Sequence, residues 1–205
     1  MKIVVFGPTG GTGKVLVSQA LARGHHVNAF ARTPSKVGMT HPNLTVTSGD
    51  VLDPLAVENA LVGQDVVVVS LGSSGLLQKD QTCSIGTRHI LAGMKKVGLR
   101  RLIVCSSMGV GDSRPHVPAF VRFMLQRPLA DKEVQERDIQ ASGLDWVIVR
   151  PTGLVDEPAR GELTVVEQGP VPISRISRAD VASFMLDQLS SDQYLHRTPG
   201  ISWKG

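Results

Sequence analysis

The opening of the chain constrains its fold more than any other stretch. Lys2-Ile3-Val4-Val5-Phe6 is a short β-branched run that feeds directly into Gly7-Pro8-Thr9-Gly10-Gly11-Thr12-Gly13, and an amphipathic segment begins at once with Lys14-Val15-Leu16-Val17. Glycines at 7, 10 and 13 permit φ > 0 and let a diphosphate approach the backbone without striking a Cβ. The unpaired N–H groups at the start of the following helix then face the bound anion. Strand, glycine-rich turn and helix in this order predict a nucleotide site, whereas a purely structural turn would not need this context. A P-loop does not fit. It requires a glycine five positions before Gly-Lys-Ser/Thr, but that position is Pro8 and Gly13-Lys14 is followed by Val15.

The spacing Gly7-x-x-Gly10-x-x-Gly13 is a variant of the dinucleotide fingerprint, and the next element names the cofactor. Gly24 is a helix stop, and His26-Val-Asn-Ala-Phe-Ala31 reads as the second strand. The residue after that strand sits beside the adenosine ribose, where NAD sites place an acid and NADP sites a cation. Here it is Arg32, with Lys36 following in Arg-Thr-Pro-Ser-Lys and no acid nearby. A guanidinium fork matches a phosphomonoester bidentately, and a carboxylate would repel it. The expected cofactor is therefore NADP(H); the other reading of Arg32 and Lys36 is a solvated pair in a surface loop.

Strand and helix signals alternate along the rest of the 205 residues. Leu44–Ser48 reads as a strand, and Asp53-Pro54 starts a helix that Gly63 ends. Asp65–Leu71 is a continuous apolar run of the kind buried on both faces of a parallel sheet. A helix from about Asp80 to Lys96, strands at Leu102–Cys105, Trp146–Val149 and Leu163–Glu167, and a last helix from Arg178 or Ala179 to Leu189 complete the pattern. The expectation is a single α/β domain over residues 1–205, a doubly wound parallel sheet of Rossmann type. Two segments, about 107–128 and 152–177, are its expected substrate-specificity regions.

Several classes fall away. No stretch approaches the roughly 20 apolar residues of a membrane span, so no membrane partner is expected. No charged-then-apolar leader precedes the first strand, which favours the cytoplasm. Cys83 and Cys105 lack metal spacing and read as reduced packing residues; the six histidines are scattered, so no metal is expected. The net charge of +4 comes from dispersed basic residues with only 4% aromatics, too few for a base-stacking platform. No nucleic-acid partner is expected, and a positive field that attracts an anionic cofactor accounts for the charge.

The chain resembles the atypical short-chain dehydrogenases with NAD(P)-binding Rossmann domains, most of all the biliverdin-IXβ reductase/flavin reductase family. The resemblance spans essentially the whole chain. It is carried by Gly7–Gly13, Arg32, Gly49-Asp50-Val51, Val69-Ser-Leu-Gly72, Cys105-Ser-Ser107, Ala141-Ser-Gly-Leu-Asp-Trp146, Arg150-Pro151 and Ile176-Ser-Arg-Ala-Asp-Val181. It implies that Gly7, Thr9, Gly10, Gly11, Thr12 and Gly13 hold the diphosphate, and Arg32 and Lys36 the 2′-phosphate. Asp50 and Val51 border the adenine; Leu71, Gly72, Ser73, Ser106 and Pro151 line the nicotinamide side. Ser107 and Lys132 are the implied catalytic positions.

This sequence also departs from the family. Ketone-reducing dehydrogenases use Tyr-x-x-x-Lys, the Tyr serving as general acid. The Lys position corresponds to Lys132, but the Tyr position is Pro128, and Tyr194 is the chain's single tyrosine, far along the sequence. The histidines around the biliverdin site are replaced by Lys132 and Gly153. Hydride transfer to a flavin, quinone or biliverdin-like acceptor tolerates this loss, because solvent can protonate a delocalised product. An NADPH-dependent reductase of such small-molecule acceptors, acting as a monomer, is therefore expected. The alternative is a non-catalytic NADP(H)-binding redox sensor of NmrA-like type. Two segments stay open in the sequence: Asp131–Asp138 as a site element or a solvated helix face, and Phe120, Phe123 and Met124 as a lid or, by preference, as core packing.

Overall fold

A computed structural model describes residues 1–72, 81–172 and 174–204. Its helices and strands follow the alternation read from the sequence. The first half contains β1 (Lys2–Phe6), α1 (Gly11–Ala22), β2 (His26–Ala31), β3 (Leu44–Ser48), α2 (Pro54–Leu61), β4 (Val66–Val69) and α3 (Thr82–Val97). The second half contains β5 (Arg101–Cys105), α4 (Ala119–Met124), α5 (Gln126–Gln140), β6 (Asp145–Pro151), β7 (Gly153–Val155), β8 (Leu163–Val166), β9 (Arg175–Ser177), α6 (Arg178–Asp187) and β10 (Gly200–Trp203). One sheet has the order β3-β2-β1-β4-β5-β6-β10-β8, parallel throughout except for β8, which runs antiparallel to β10 at the edge. β7 and β9 form a separate parallel pair. This is the doubly wound Rossmann architecture.

Alternation of side chains through the central strands creates two cores. Ile3, Val5, Val66 and Val68 face one side and pack with Leu16, Val17, Val181 and Met185 of α1 and α6. Val4, Phe6, Val67 and Val69 face the other, against Val57, Leu61, Ile90, Met94 and Ile139 of α2, α3 and α5. A run such as Val66–Val69 is apolar at every position because both faces are covered.

Helix ends obey local chemistry. Asp53 caps α2, its side chain accepting from the amides of Leu55 and Ala56, and Pro54 occupies the first turn. Gly98 ends α3 in the left-handed region at φ 75°. The strand order reverses between β1 and β4, so the crevice beyond their carboxyl ends is the switch point where open α/β sheets bind ligands.

Three elements lie outside the sequence-based reading. β7 and β9 are three residues each, too short for periodicity to register. β10 contains Gly200 and Ser202, and it becomes a strand because β6 on one side and β8 on the other supply its hydrogen bonds.

Candidate functional site

A cleft of about 490 Å³ opens at that switch point, between the carboxyl ends of β1, β2, β4 and β5. Its floor at β1 is the glycine-rich turn, where each glycine has a separate job. Gly7 has φ 85°, and a Cβ there would lie 2.5 Å from the Ser70 carbonyl oxygen. A Cβ on Gly13 would lie 2.0 Å from the Gly7 carbonyl oxygen, so this glycine lets α1 close against its own turn. Gly10 faces open space, its nearest potential contact being 3.8 Å away. It is the N-cap of α1, offers no side-chain hydrogen bond and is followed by no acid in the first turn. The amides of this helix start are thus left for an anion in the cleft, with Thr9, Gly11 and Thr12 also on its wall.

Arg32 follows β2 and lines the cleft, exposed and in no ion pair among the described residues. Lys36 lies in the 3₁₀ turn Pro34–Lys36 at the same edge, also exposed, and outside the cleft lining. Val51 lines the cleft and packs on Gly86 of α3, where a Cβ would meet it at 2.6 Å. Asp50 does not line it; its carboxylate accepts from the Leu52 amide at 3.0 Å and shapes the turn that carries Val51.

The β4 and β5 ends hold the other half. Leu71, Gly72, Ser106 and Lys132 all line the cleft. Ser73 falls outside the described residues. Lys132 reaches in from α5, and its ammonium donates to the Cys105 carbonyl at 2.9 Å and the Leu71 carbonyl at 3.2 Å. It thereby clips the ends of β4 and β5 together. Ser107 is half-buried just behind this wall, its hydroxyl donating to the Met108 carbonyl at 3.0 Å; Pro151 is buried at the end of β6. Neither lines the cleft. Burial pushes the Cys105 thiol up, with the Lys132 charge opposing, so Cys105 stays a thiol; both cysteines are buried.

Two sequence-based readings need correction. The Asp131–Asp138 stretch is no solvated face, because Asp131, Gln135 and Glu136 are buried. Asp131 accepts from the Cys83 and Ser84 amides and so caps α3 from another helix. Glu136 accepts from the Ser106 hydroxyl in a short hydrogen bond and from Arg150, whose Nη2 lies 2.6 Å away. Arg150 also pairs with Asp112 at 2.5 Å, tying the loop after β5 to β6. Phe120, Phe123 and Met124, favoured as core, are exposed instead, and no residue of α4 is buried.

Sequence reasoning passed over Leu154 and left Arg178 open between a substrate contact and a salt bridge at the last helix. Leu154 of β7 lines the cleft. Arg178, at the start of α6, lies across Gly11, where a Cβ would come within 2.5 Å of its Nε, and pairs with Asp156 at 2.8 Å. The signal in the sequence was Gly11 itself, a fourth glycine in the turn with no obvious backbone demand.

Comparison with known proteins agrees with this geometry. The profile of a protein family described as NAD(P)H-binding matches residues 7–192. The chain belongs to this NAD(P)H-binding family. The expected dinucleotide cofactor is thereby met at the level of the family. Among relatives, Reductase pytE of Aspergillus terreus is 29% identical, covering 91% of this chain and 90% of its own length. Oxidoreductase stcQ of Emericella nidulans is 26% identical over 97% of this chain and 80% of its own. Among solved structures, ChuY, an anaerobillin reductase from Escherichia coli O157:H7, superposes with TM-score 0.88 at 23% identity, covering 98% and 97% of the two chains. That likeness is one of fold. No helix among the described residues is long and apolar enough to cross a membrane, and they contain no metal-ligating cluster of three or more side chains.

Proposed function

We propose that the chain is an NADPH-dependent reductase that delivers hydride to a conjugated acceptor such as a flavin, a quinone or a biliverdin-like tetrapyrrole. The observation that carries this reading is an asymmetry within one cleft. Its glycine-turn end offers a helix start with no acid in its first turn and Arg32, which is in no ion pair among the described residues. At its other end the polar groups are engaged: Ser106 by Glu136, and Lys132 by two backbone carbonyls. Pro128 stands where a ketone reductase has its proton-donating Tyr, and Tyr194 is buried beside Phe184, in the core on the α1 and α6 side. Two relatives of similar length bear the names reductase and oxidoreductase, which supports the same class.

When bound, NADPH supplies the hydride, and the product acceptor takes its proton from solvent. The chain's residues bind and orient. The α1 amides and Arg178 neutralise the diphosphate, with Arg178 exchanging its Asp156 partner for it. Arg32 and Lys36 take the 2′-phosphate, and Asp50 and Val51 set the adenine edge. Lys132 fixes the floor below the nicotinamide and keeps one N–H to donate to a ribose hydroxyl. Ser107 positions the same wall. Leu154 offers an apolar face to the acceptor, whose specificity resides in residues 107–128 and 152–177. A loose apolar pocket suffices for such an acceptor because stacking at near-attack distance is the main requirement.

The test is NADPH oxidation by the purified chain with FMN, a quinone and mixed biliverdin isomers. The expected result is turnover with at least one acceptor, reduced roughly a hundredfold or more in kcat/KM for NADPH by Arg32→Asp, since a carboxylate there repels the phosphate. Tight NADPH binding without oxidation by any acceptor favours the redox-sensor alternative. An unaltered preference for NADPH over NADH in Arg32→Asp removes Arg32 from the site.

A further inference from the structure

α4 presents an unusual surface. Phe120 is 71% exposed, Phe123 73% and Met124 53%, and their spacing puts all three on one helix face. Single exposed apolar residues are ordinary, whereas two phenylalanines and a methionine grouped on one short helix call for a partner. The surrounding chain is basic. Between Asp112 and Asp131 there is no acidic residue, while Arg114, His116, Arg122 and Arg127 all fall in that interval. Arg114 and Arg127 are exposed; Arg122 is half-buried, in no ion pair among the described residues, and its Nε has no hydrogen-bond partner. Among the described residues, the ion-pair contact of Arg114 is a long one, to Glu133 at 3.7 Å.

We propose that α4 and its arginine-bearing flanks form a peripheral membrane contact, with Phe120, Phe123 and Met124 entering the headgroup boundary of an anionic lipid surface. The charge of the patch argues for this occupant over a second copy of the chain. A two-fold contact would bring the same arginines face to face, and three side chains fall well short of the roughly 800 Å² per partner of a stable interface. A partner protein's apolar groove would accept the three side chains but leaves the surrounding arginines without a role, so the charge of the patch favours the lipid surface. Aromatic side chains on one face with cations around them suit an interfacial contact, which draws on both apolar insertion and attraction to acidic headgroups. The lack of a long apolar stretch in the sequence, which led to the expectation of no membrane partner, does not bear on a contact of this kind.

The inference does not depend on the reductase reading, because lipid binding needs no turnover. The test is co-sedimentation of the purified full chain, saturated with NADP⁺, with phosphatidylcholine vesicles containing about one-third phosphatidylserine. The expected result is binding at low salt that is lost in high salt and on phosphatidylcholine alone. The double variant Phe120→Ser, Phe123→Ser should weaken binding about tenfold or more while its melting temperature and NADPH affinity stay unchanged. Arg114→Gln, at an exposed position, should weaken it too and reduce the salt dependence with an unchanged melting temperature. No binding to anionic vesicles, or equal binding by wild type and both variants, overturns the proposal. So does a dimer in light scattering that the double variant dissociates, since a second copy would then cover the rings.

Discussion

Glu136 is hidden from solvent together with the guanidinium it holds, and the pair joins α5, β5 and β6 below the cleft. Removing one member of a buried pair leaves the other charge uncompensated, a far larger loss than that of an exposed pair. Glu136→Ala should therefore destabilise the chain by about 3–5 kcal/mol in urea denaturation. Asp112→Ala, which breaks the neighbouring ion pair from a side chain 66% exposed, should cost under about 1 kcal/mol. Similar losses for the two variants would mean that Arg150 finds another partner. At this scale the sequence was legible where a residue's role is local. Gly7 and Gly13 each stand where a Cβ would strike backbone close by, and Arg32 reaches the cleft because it directly follows β2. Glu136 was not legible, because Asp131–Asp138 is charged by composition and only the rotation of α5 on the sheet turns its acids inward. Phe120 and Phe123 misled for the converse reason: helical spacing of apolar residues normally marks a buried face, and α4 has no layer above it.

Among elements, α6 and the segment before it are held by Asp180. The Ser177 hydroxyl, the Trp203 indole at 2.7 Å and the amides of Arg160 and Gly161 at 3.0 Å all donate to its carboxylate. Arg160 lies 3.5 Å over the Trp203 ring, closing the segment against β10. Burial raises the Asp180 pKa, but these four hydrogen bonds together outweigh it and hold the carboxyl below its usual range. A group depressed in the folded state contributes stability that is complete above its unfolded pKa, about 3.9, and is lost as pH falls through the folded value. Asp180→Asn should thus lower the melting temperature at neutral pH and show a flatter decline than wild type below about pH 4. Parallel wild-type and variant curves across that range would remove Asp180 from the acid transition. The start of α6 was visible in Ile176-Ser-Arg-Ala-Asp-Val181, since Ser and a following Asp are an N-terminal signature. What Asp180 holds was not, because its partners come from β10 and the residue-160 turn, and neither had a detectable period.

For the whole molecule, the sheet brings four strand ends to one line, and the chain spends few of its own polar groups at the phosphate end of the cleft. The start of α1 and Arg32 both border the cleft, and a dinucleotide bound there only in the folded state stabilises the fold by mass action, the effect expected of NADPH. At a hundredfold excess over Kd this amounts to about 2.7 kcal/mol. For a chain of this size, each kcal/mol raises the melting temperature by about 2–4 °C, giving an expected rise of about 5–11 °C. NADH at the same concentration lacks the 2′-phosphate, and each tenfold loss of affinity removes about 1.4 kcal/mol of that effect. The two cofactors should therefore give clearly different shifts in wild type and nearly equal ones in Arg32→Asp. Equal shifts already in wild type would mean that Arg32 and Lys36 form a solvated surface pair, leaving the glycine turn as the cofactor's principal anchor and NAD(H) an equal occupant of the cleft.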